Sequence, residues 1–188
     1  LQILNAAEDV FSKKGFGEAR MDDIAEGTGL SKGTLYLYFK SKDELIIAIL
    51  DRIFQREFKH LEGLDWSTMS ATEGLEKFAD LAIKDITSVL RLMPLAYEFM
   101  SMAFRNRYVQ QAFKNYLNRY LGILTPMIQR GIESGEFRSM DASEAAIAIG
   151  SVMEGTLLLW VYDHSLVDPE RHIRSGMKVL LEGLLNRT

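Results

Sequence analysis

The sequence predicts an all-α fold of about nine helices, in which a small amino-terminal three-helix module precedes a larger helical domain. Proline occurs only three times in 188 residues, while helix-favouring residues such as Leu, Ala, Glu and Lys are abundant. Apolar residues recur at helical spacing, and Ser, Asp, Gly or Pro stands at most expected helix ends. Hydrophobic residues make up 47% of the chain, which is enough for a sizeable core.

The first three predicted helices are separated by glycines. The first ends at Gly15, and the second turns Ile24 inward and is broken at Gly29. Ser31 is a good N-cap for the third, because its hydroxyl can accept a hydrogen bond from the N–H near Thr34. The second and third helices, joined by a tight turn, therefore fit a helix-turn-helix.

The third helix has two distinct faces. Leu35 and Phe39 lie four residues apart on an apolar face that anchors the helix, whereas Lys32, Tyr36 and Lys40 share another face. A helix that enters a DNA groove needs small residues near its start and hydrogen-bond donors for bases and phosphates. The small residues are Ser31, Gly33 and Thr34, and the donors are Lys32, Tyr36, Tyr38 and Lys42.

The remaining elements are predicted from caps, glycines and prolines. They are a fourth helix from Ser41, a connection at residues 61–70, a helix from Ser70 to about Arg91, a helix from Pro94, a long helix over about residues 106–134 that bends at Pro126, and two last helices over about residues 141–162 and 169–186.

Charge and cysteine content narrow the class of protein. The net charge of −4 argues against a generally basic nucleic-acid binder, yet the segment Ser31–Lys42 holds three lysines and no acidic residue. Cysteine is absent, which excludes disulfides, thiolate metal sites and a cysteine nucleophile. The two longest uncharged runs are separated by Glu154, and each is shorter than the roughly 20 residues that span a bilayer. No membrane segment is therefore predicted.

The string IAEGTGLSKGTLYLYFKSKDEL, from Ile24 to Leu45, closely resembles the DNA-binding signature of the TetR (tetracycline repressor) family. The layout is similar too, with a three-helix DNA-binding module, a linking fourth helix and a helical regulatory domain. The resemblance implies a DNA-binding domain over residues 1–45, linked by a helix over about residues 42–60, and a ligand-binding and dimerisation domain over residues 46–188.

Residue by residue, the resemblance implies that Lys32 and Gly33 approach base edges in the major groove. The residues that it places mainly at phosphates are Ser31, Thr34, Tyr36, Tyr38 and Lys42, with Thr28 as one more. Arg20 departs from the family pattern, since Ser or Thr often caps the second helix there; Arg20 can reach phosphate with its own charge. Tyr36 can also be a core residue rather than a DNA contact.

A candidate effector pocket in the regulatory domain combines methionine and aromatic residues, which suit an adaptable apolar site. The predicted ligand-binding residues are Tyr97, Met100, Phe104, Tyr116, Tyr120, Met153 and Trp160. Core packing explains most of them equally well. Glu154, within the most apolar helix, can pair with a cationic ligand, be satisfied by a neighbouring Arg, or face a partner subunit.

The resemblance further implies a homodimer in which the helices over about residues 141–162 and 169–186 pair with their two-fold mates as a four-helix bundle. Two-fold symmetry then requires a near-palindromic operator in double-stranded DNA. We expect a cytoplasmic repressor, without cofactor or metal, that a small apolar effector releases by changing the separation of the two DNA-binding modules.

Two other functions are weaker interpretations of the sequence. An enzyme is disfavoured because His60, His164 and His172 are far apart and neither a metal-binding pair nor a phosphate-binding glycine loop is found. The other alternative is a helical bundle that binds partner proteins and uses the helix-turn-helix only as a structural element.

Overall fold

The computed structural model describes residues 2–84 and 86–186, and it confirms the all-α fold for that part of the chain. A 3-10 helix at Trp66–Thr68 and an isolated bridge between Phe137 and Leu185 accompany the helices. The α-helices described are α1 (Gln2–Glu18), α2 (Met21–Thr28), α3 (Lys32–Tyr38), α4 (Lys42–Glu62), α5 (Ala71–Lys84), α6 (Ile86–Ala103), α7 (Arg107–Glu133), α8 (Ala142–Tyr162) and α9 (Pro169–Leu184).

Four helix starts confirm the predicted caps. The Ser31 hydroxyl accepts a hydrogen bond from the N–H of Thr34 at 3.1 Å, and Ser70 forms a reciprocal capping box at the start of α5. Carboxylates of Asp141 and Asp168 accept N–H bonds in the first turns of α8 and α9. Short-range hydrogen-bond chemistry therefore fixes these boundaries.

One predicted boundary is wrong. Helix α5 ends at Lys84 and α6 already begins at Ile86, so the break expected between residues 91 and 94 lies inside a helix. The buried residues Leu95 and Phe99 continue the inward face of α6 beyond that point. Packing of this face outweighs the local tendency of proline to begin a helix. Helix α7 continues through Pro126, as the sequence predicts, and the bend expected there stays a prediction.

The chain divides into two compact units. The first unit contains Leu1–Arg56 and Leu92–Tyr116, and the second contains Glu57–Arg91 and Leu117–Thr188. The core of the first unit joins side chains of α1 to α4 with Leu95, Phe99, Val109 and Ala112. Packing therefore joins the end of α6 and the start of α7 to the predicted three-helix module. The domain boundary at residue 45 stays a prediction.

A break in α1 organises part of the first unit. Gly15 has φ 73° and ψ 158°, which interrupts the helix where the sequence predicts its end. The freed N–H of Phe16 donates to the Glu98 carboxylate at 2.7 Å, and the carbonyls of Phe16 and Gly17 accept from the Lys42 ammonium at 2.7 and 3.3 Å. Side chains from α6 and α4 therefore satisfy the backbone groups that the break exposes.

In the second unit, α8 and α9 approach closely at Gly176, where an added Cβ would lie 2.5 Å from a Val152 methyl carbon. Helix α8 as a whole, Glu154 included, is long and apolar enough to cross a membrane, although the sequence analysis predicted no such segment. Only 17% of its most apolar stretch is buried. Its large exposed side chains are Ile147, Leu159, Val161 and Tyr162.

Candidate nucleic-acid interface

The turn between α2 and α3 has the geometry of a helix-turn-helix. Gly29 adopts φ 69°, a left-handed conformation that ends α2 and that glycine reaches without steric cost. Thr28 is buried, and its hydroxyl donates to the Ala25 carbonyl at 2.8 Å and accepts from the Leu30 N–H at 3.2 Å. This hydroxyl closes the turn, so its predicted phosphate contact gains no support.

The inner face of α3 anchors the helix. Leu35 is fully buried, while Phe39 and Tyr36 are half-buried and pack against the same core. The structure thus confirms the predicted anchor residues Leu35 and Phe39. Tyr36 belongs partly to the core, which was the alternative interpretation of this residue, although part of its side chain still reaches solvent.

The outer face of α3 is open to solvent. Ser31, Lys32, Gly33 and Tyr38 are exposed, and a Cβ placed on Gly33 would meet only the Ser31 hydroxyl oxygen, at 3.9 Å. Leu37 is 76% exposed and is not among the predicted contacts, because an apolar side chain is neither small nor a hydrogen-bond donor. An apolar side chain at this position can contact a thymine methyl group. Most of the predicted contact residues of α3 are therefore accessible to a ligand.

Lys32 is held by an acidic residue of α2. Its ammonium lies 2.7 Å from one carboxylate oxygen of Asp22 and 2.9 Å from the other, and both side chains are largely exposed. The hydrogen bond and charge of Asp22 raise the pKa of Lys32 above its ordinary value. The side chain predicted to approach bases is therefore charged and has an intramolecular competitor.

Lys42 points toward α1 rather than outward. Besides its two carbonyl bonds, its ammonium lies 4.4 Å from the centre of the Phe16 ring, a cation–π contact. The side chain is half-buried. In the free protein the Lys42 ammonium therefore helps to pack the first unit. Its contact with DNA phosphates stays a prediction.

Arg20 occupies the N-cap position of α2 and is exposed, as a phosphate contact requires. The missing hydroxyl cap is partly replaced, because the Asp23 carboxylate accepts the Arg20 N–H at 2.9 Å. Asp23 also accepts from the Lys14 ammonium at 2.8 Å, and this bond is the main reason why the pKa of Asp23 is lowered. Helix α2 therefore starts without Ser or Thr.

Four predicted effector contacts lie in the first unit. Phe104 is 88% exposed and Met100 is at the surface, whereas Tyr97 is half-buried. Tyr116 is half-buried and stacks on Phe54 with ring centres 4.3 Å apart.

The other three predicted contacts lie in the second unit. Tyr120 is buried against Phe78, and its hydroxyl is 3.9 Å from the sulfur of Met153. Trp160 lies near His164, with ring centres 6.1 Å apart. The structure thus brings Tyr120 and Met153 together. Glu154 lies on the same helix as Trp160 and is exposed at its surface. Neighbouring protein atoms still reduce the hydration of its carboxylate, which raises its pKa.

Two open grooves in the second unit have volumes of about 430 and 400 Å³, and none of the seven predicted effector contacts lines either of them. The larger is mostly charged, with Lys77, Asp80 and Arg174 among its walls. The smaller contains Trp66 and Met127. Among the side chains that the structure describes, no cluster of His, Asp or Glu is arranged to hold a metal ion.

Comparisons with known proteins match both parts of the chain. Residues 3–49 match the family model described as bacterial regulatory proteins, tetR family. Residues 62–186 match the model described as QacR-like protein, C-terminal region. The first match covers the helix-turn-helix, and the second covers most of the remaining helices.

Individual proteins are similar over most of their lengths. The fatty acid metabolism regulator protein of Bacillus subtilis is 25% identical over 189 residues, covering 100% of this chain and 96% of the relative. The HTH-type transcriptional regulator YfiR of the same organism, itself uncharacterized, is 30% identical over 147 residues, covering 73% of this chain and 67% of the relative. The crystal structure of the B. subtilis regulator FadR in complex with stearoyl-CoA has a TM-score of 0.73 and 26% identity, covering 97% and 98% of the two chains.

Proposed function

The chain belongs to the TetR family of bacterial regulatory proteins, and we propose that it is a repressor that binds a near-palindromic operator as a homodimer and leaves it when an effector binds. Its relatives are named as transcription regulators, so the protein is a DNA-binding regulator and not an enzyme. The alternative of a partner-binding bundle without DNA activity is not favoured. As a DNA-binding regulator, it would act in the cytoplasm.

The open outer face of α3 is the observation that carries the DNA-binding proposal. In this arrangement Lys32 and Gly33 approach base edges in the major groove, since Leu35 pins the opposite face of the helix. Phosphates are held by side chains around the helix, and the residues proposed for this role are Arg20, Ser31, Thr34, Tyr36, Tyr38 and Lys42.

The apolar surface of α8 and α9 supports the dimer proposal. Ile147 on α8 and Val179 on α9 are 50% and 70% exposed, which is unfavourable for large apolar side chains in water. A second copy would bury both helices in a four-helix bundle and would also cover Glu154. Two-fold symmetry of such a dimer presents two α3 helices to two half-sites of one operator.

For the effector, the similarity to a stearoyl-CoA complex suggests a ligand with a long apolar chain. Within the second unit, Tyr120 and Met153 are the predicted contacts that lie together, and the groove at Trp66 provides a second candidate surface. An effector releases DNA only if it binds the non-DNA conformer more tightly, and typical couplings are about 1 to 3 kcal/mol.

The proposal is tested by selecting duplexes from a random-sequence library with the unaltered protein, and then by measuring affinity for the enriched duplex with and without stearoyl-CoA. We expect an inverted repeat, bound by one dimer, and weaker binding when stearoyl-CoA is present. Failure to enrich any duplex would rule out the DNA-binding proposal. Equal affinity in saturating stearoyl-CoA would rule out this effector alone.

A further inference from the structure

The middle of the chain carries an unusual charge pattern that the helix-turn-helix does not explain. From Phe99 to Ile132 the sequence holds five Lys or Arg residues and no Asp or Glu, although the net charge of the whole chain is −4. The first part of this segment, up to Tyr116, belongs to the first unit. Three of the five cations, Arg105, Arg107 and Lys114, therefore lie in the same unit as α3.

The cations of this part lie on one accessible surface. Arg107 and Lys114 are two turns apart on the exposed side of α7, and Arg105 is exposed in the turn just before it. We call these three residues the basic surface. The opposite side of the helix is buried through Val109 and Ala112. Between Arg107 and Asn115, the exposed side presents only residues with hydrogen-bond donors, namely Arg107, Tyr108, Gln110, Gln111, Lys114 and Asn115.

No residue in the described part of the chain forms an ion pair with Arg105, Arg107 or Lys114. Asn106, which lies between Arg105 and Arg107 in the sequence, donates from its side-chain amide to the Asp43 carboxylate at 2.8 Å. The Asp43 carboxylate is thus bound by a neutral amide and not by one of the three cations. The positive charges of the basic surface therefore remain available to an external anion.

The bond between Asn106 and Asp43 also locates this surface in the first unit. Asp43 is the second residue of α4, and only three residues separate α4 from the end of α3 at Tyr38. The turn that carries Arg105 is thus attached beside the end of the helix proposed to bind the major groove. A duplex bound by α3 is a polyanion with one charge per about 1.7 Å of its axis.

We propose that the basic surface of Arg105, Arg107 and Lys114 binds DNA phosphates as a second contact outside the helix-turn-helix. This inference rests on the proposed DNA-binding function. Phosphate contacts position a protein on DNA without reading its sequence. The basic surface therefore adds affinity and salt dependence, and it leaves base preference to α3.

The experiment uses the full chain with Arg105→Gln, Arg107→Gln and Lys114→Gln, and the probe is the duplex enriched by selection with the unaltered protein. Each neutralised phosphate contributes about 0.9 to the slope of log affinity against log salt. Because the duplex is bound by a dimer, each substitution removes a contact from both protomers, so we expect the slope to fall by about 5. The affinity at low salt should fall at least about tenfold.

A matched control removes three exposed charges from the second unit through Lys59→Gln, Lys77→Gln and Lys84→Gln, which changes the net charge equally. The conservative pair Arg105→Lys and Arg107→Lys keeps the charge and should keep the slope. If the triple variant and the control give the same slope, the basic surface does not bind DNA, and the repressor proposal stands without it. If the unaltered protein enriches no duplex, both proposals fail.

Discussion

The ammonium of Lys32, on the helix proposed to bind the major groove, lies 2.7 Å from the carboxylate of Asp22 on the preceding helix. In free protein this ion pair fixes the direction of a long, exposed side chain. On DNA the same carboxylate competes with bases and phosphates for Lys32 and repels the duplex. We therefore expect Asp22 to oppose DNA binding by α3.

Replacing Asp22 by Asn is expected to raise affinity for the selected duplex about threefold at low salt, because the variant removes both the competition and the repulsion. Fluorescence anisotropy of a labelled duplex measures the change. Glu26→Gln removes another exposed acid from α2 and serves as the control. An unchanged or weaker affinity for Asp22→Asn would show that Asp22 positions Lys32 instead of competing for it.

Lys32→Ala should weaken binding to the selected duplex about tenfold and reduce discrimination against base changes within each half-site. The matched control is Lys40→Ala, since Lys40 is also exposed and its ammonium bonds to the Tyr36 carbonyl at 2.8 Å. Competition with single-base variants of the duplex measures discrimination. If both substitutions lower affinity equally for all sequences, Lys32 contacts only phosphate.

Gly33→Ala should weaken DNA binding without lowering the stability of the fold. The new Cβ makes only an ordinary contact with the Ser31 hydroxyl oxygen at 3.9 Å and removes glycine from a helix, so stability is expected to be unchanged or to rise by up to about 1 kcal/mol. DNA binding should weaken at least about tenfold, because that Cβ occupies the closest approach of backbone to the groove. Thermal unfolding and anisotropy give the two measurements.

Gly122→Ala is the control for that substitution, since its Cβ meets open space on α7 in the second unit. It should leave DNA affinity unchanged. Tight operator binding by Gly33→Ala would place the groove contact elsewhere on α3.

Ile147→Glu together with Val179→Glu should produce a folded monomer, because both side chains are exposed within one chain and are proposed to be buried in the dimer. Sedimentation at micromolar concentration measures assembly, and circular dichroism checks that the helices persist. Lys59→Glu adds an exposed acid on α4 as the control. Leu184 is unsuitable for this test, because it is already buried in its own chain. A double variant that still sediments as a dimer would place the interface on another face.

Glu136 provides a pH-dependent contribution to stability. Burial acts to raise its pKa, but hydrogen bonds from Thr72 and from the backbone N–H groups of Ala71 and Thr72 outweigh burial and lower the pKa below 4.5. A lowered folded pKa means that the stabilisation is complete above the unfolded value near 4.5 and disappears as the pH falls through the folded value.

Glu136→Gln should therefore lower the free energy of unfolding by about 1 to 2 kcal/mol at neutral pH and by progressively less below about pH 4.5. Denaturant unfolding of both proteins between pH 3 and 7 measures this difference. Glu133→Gln, an exposed substitution in the same turn of chain, should show little effect at any pH. A difference that does not shrink on acidification would assign the loss to side-chain shape and not to charge.

Local chemistry explains what the sequence could predict. The cap at Ser31 and the anchor at Leu35 follow from hydrogen-bond and helical spacing rules within a few residues. The bond between Phe16 and Glu98 joins residues 82 positions apart and has no local signal. For the same reason the direction of Lys42 was not predictable, since it depends on the carbonyls exposed at the break in α1. Exposure of Phe104 likewise depends on tertiary packing, which composition does not specify.

The assembly of the first unit from two separate stretches of chain affects how it can be made. A fragment that stops after α4 lacks Leu95, Phe99, Val109 and Ala112, so it would leave part of its apolar interior facing water. During synthesis, the core of this unit cannot be completed until residue 116 has emerged from the ribosome. Transplanting its DNA specificity into another protein would therefore require carrying over the end of α6 and the start of α7 as well.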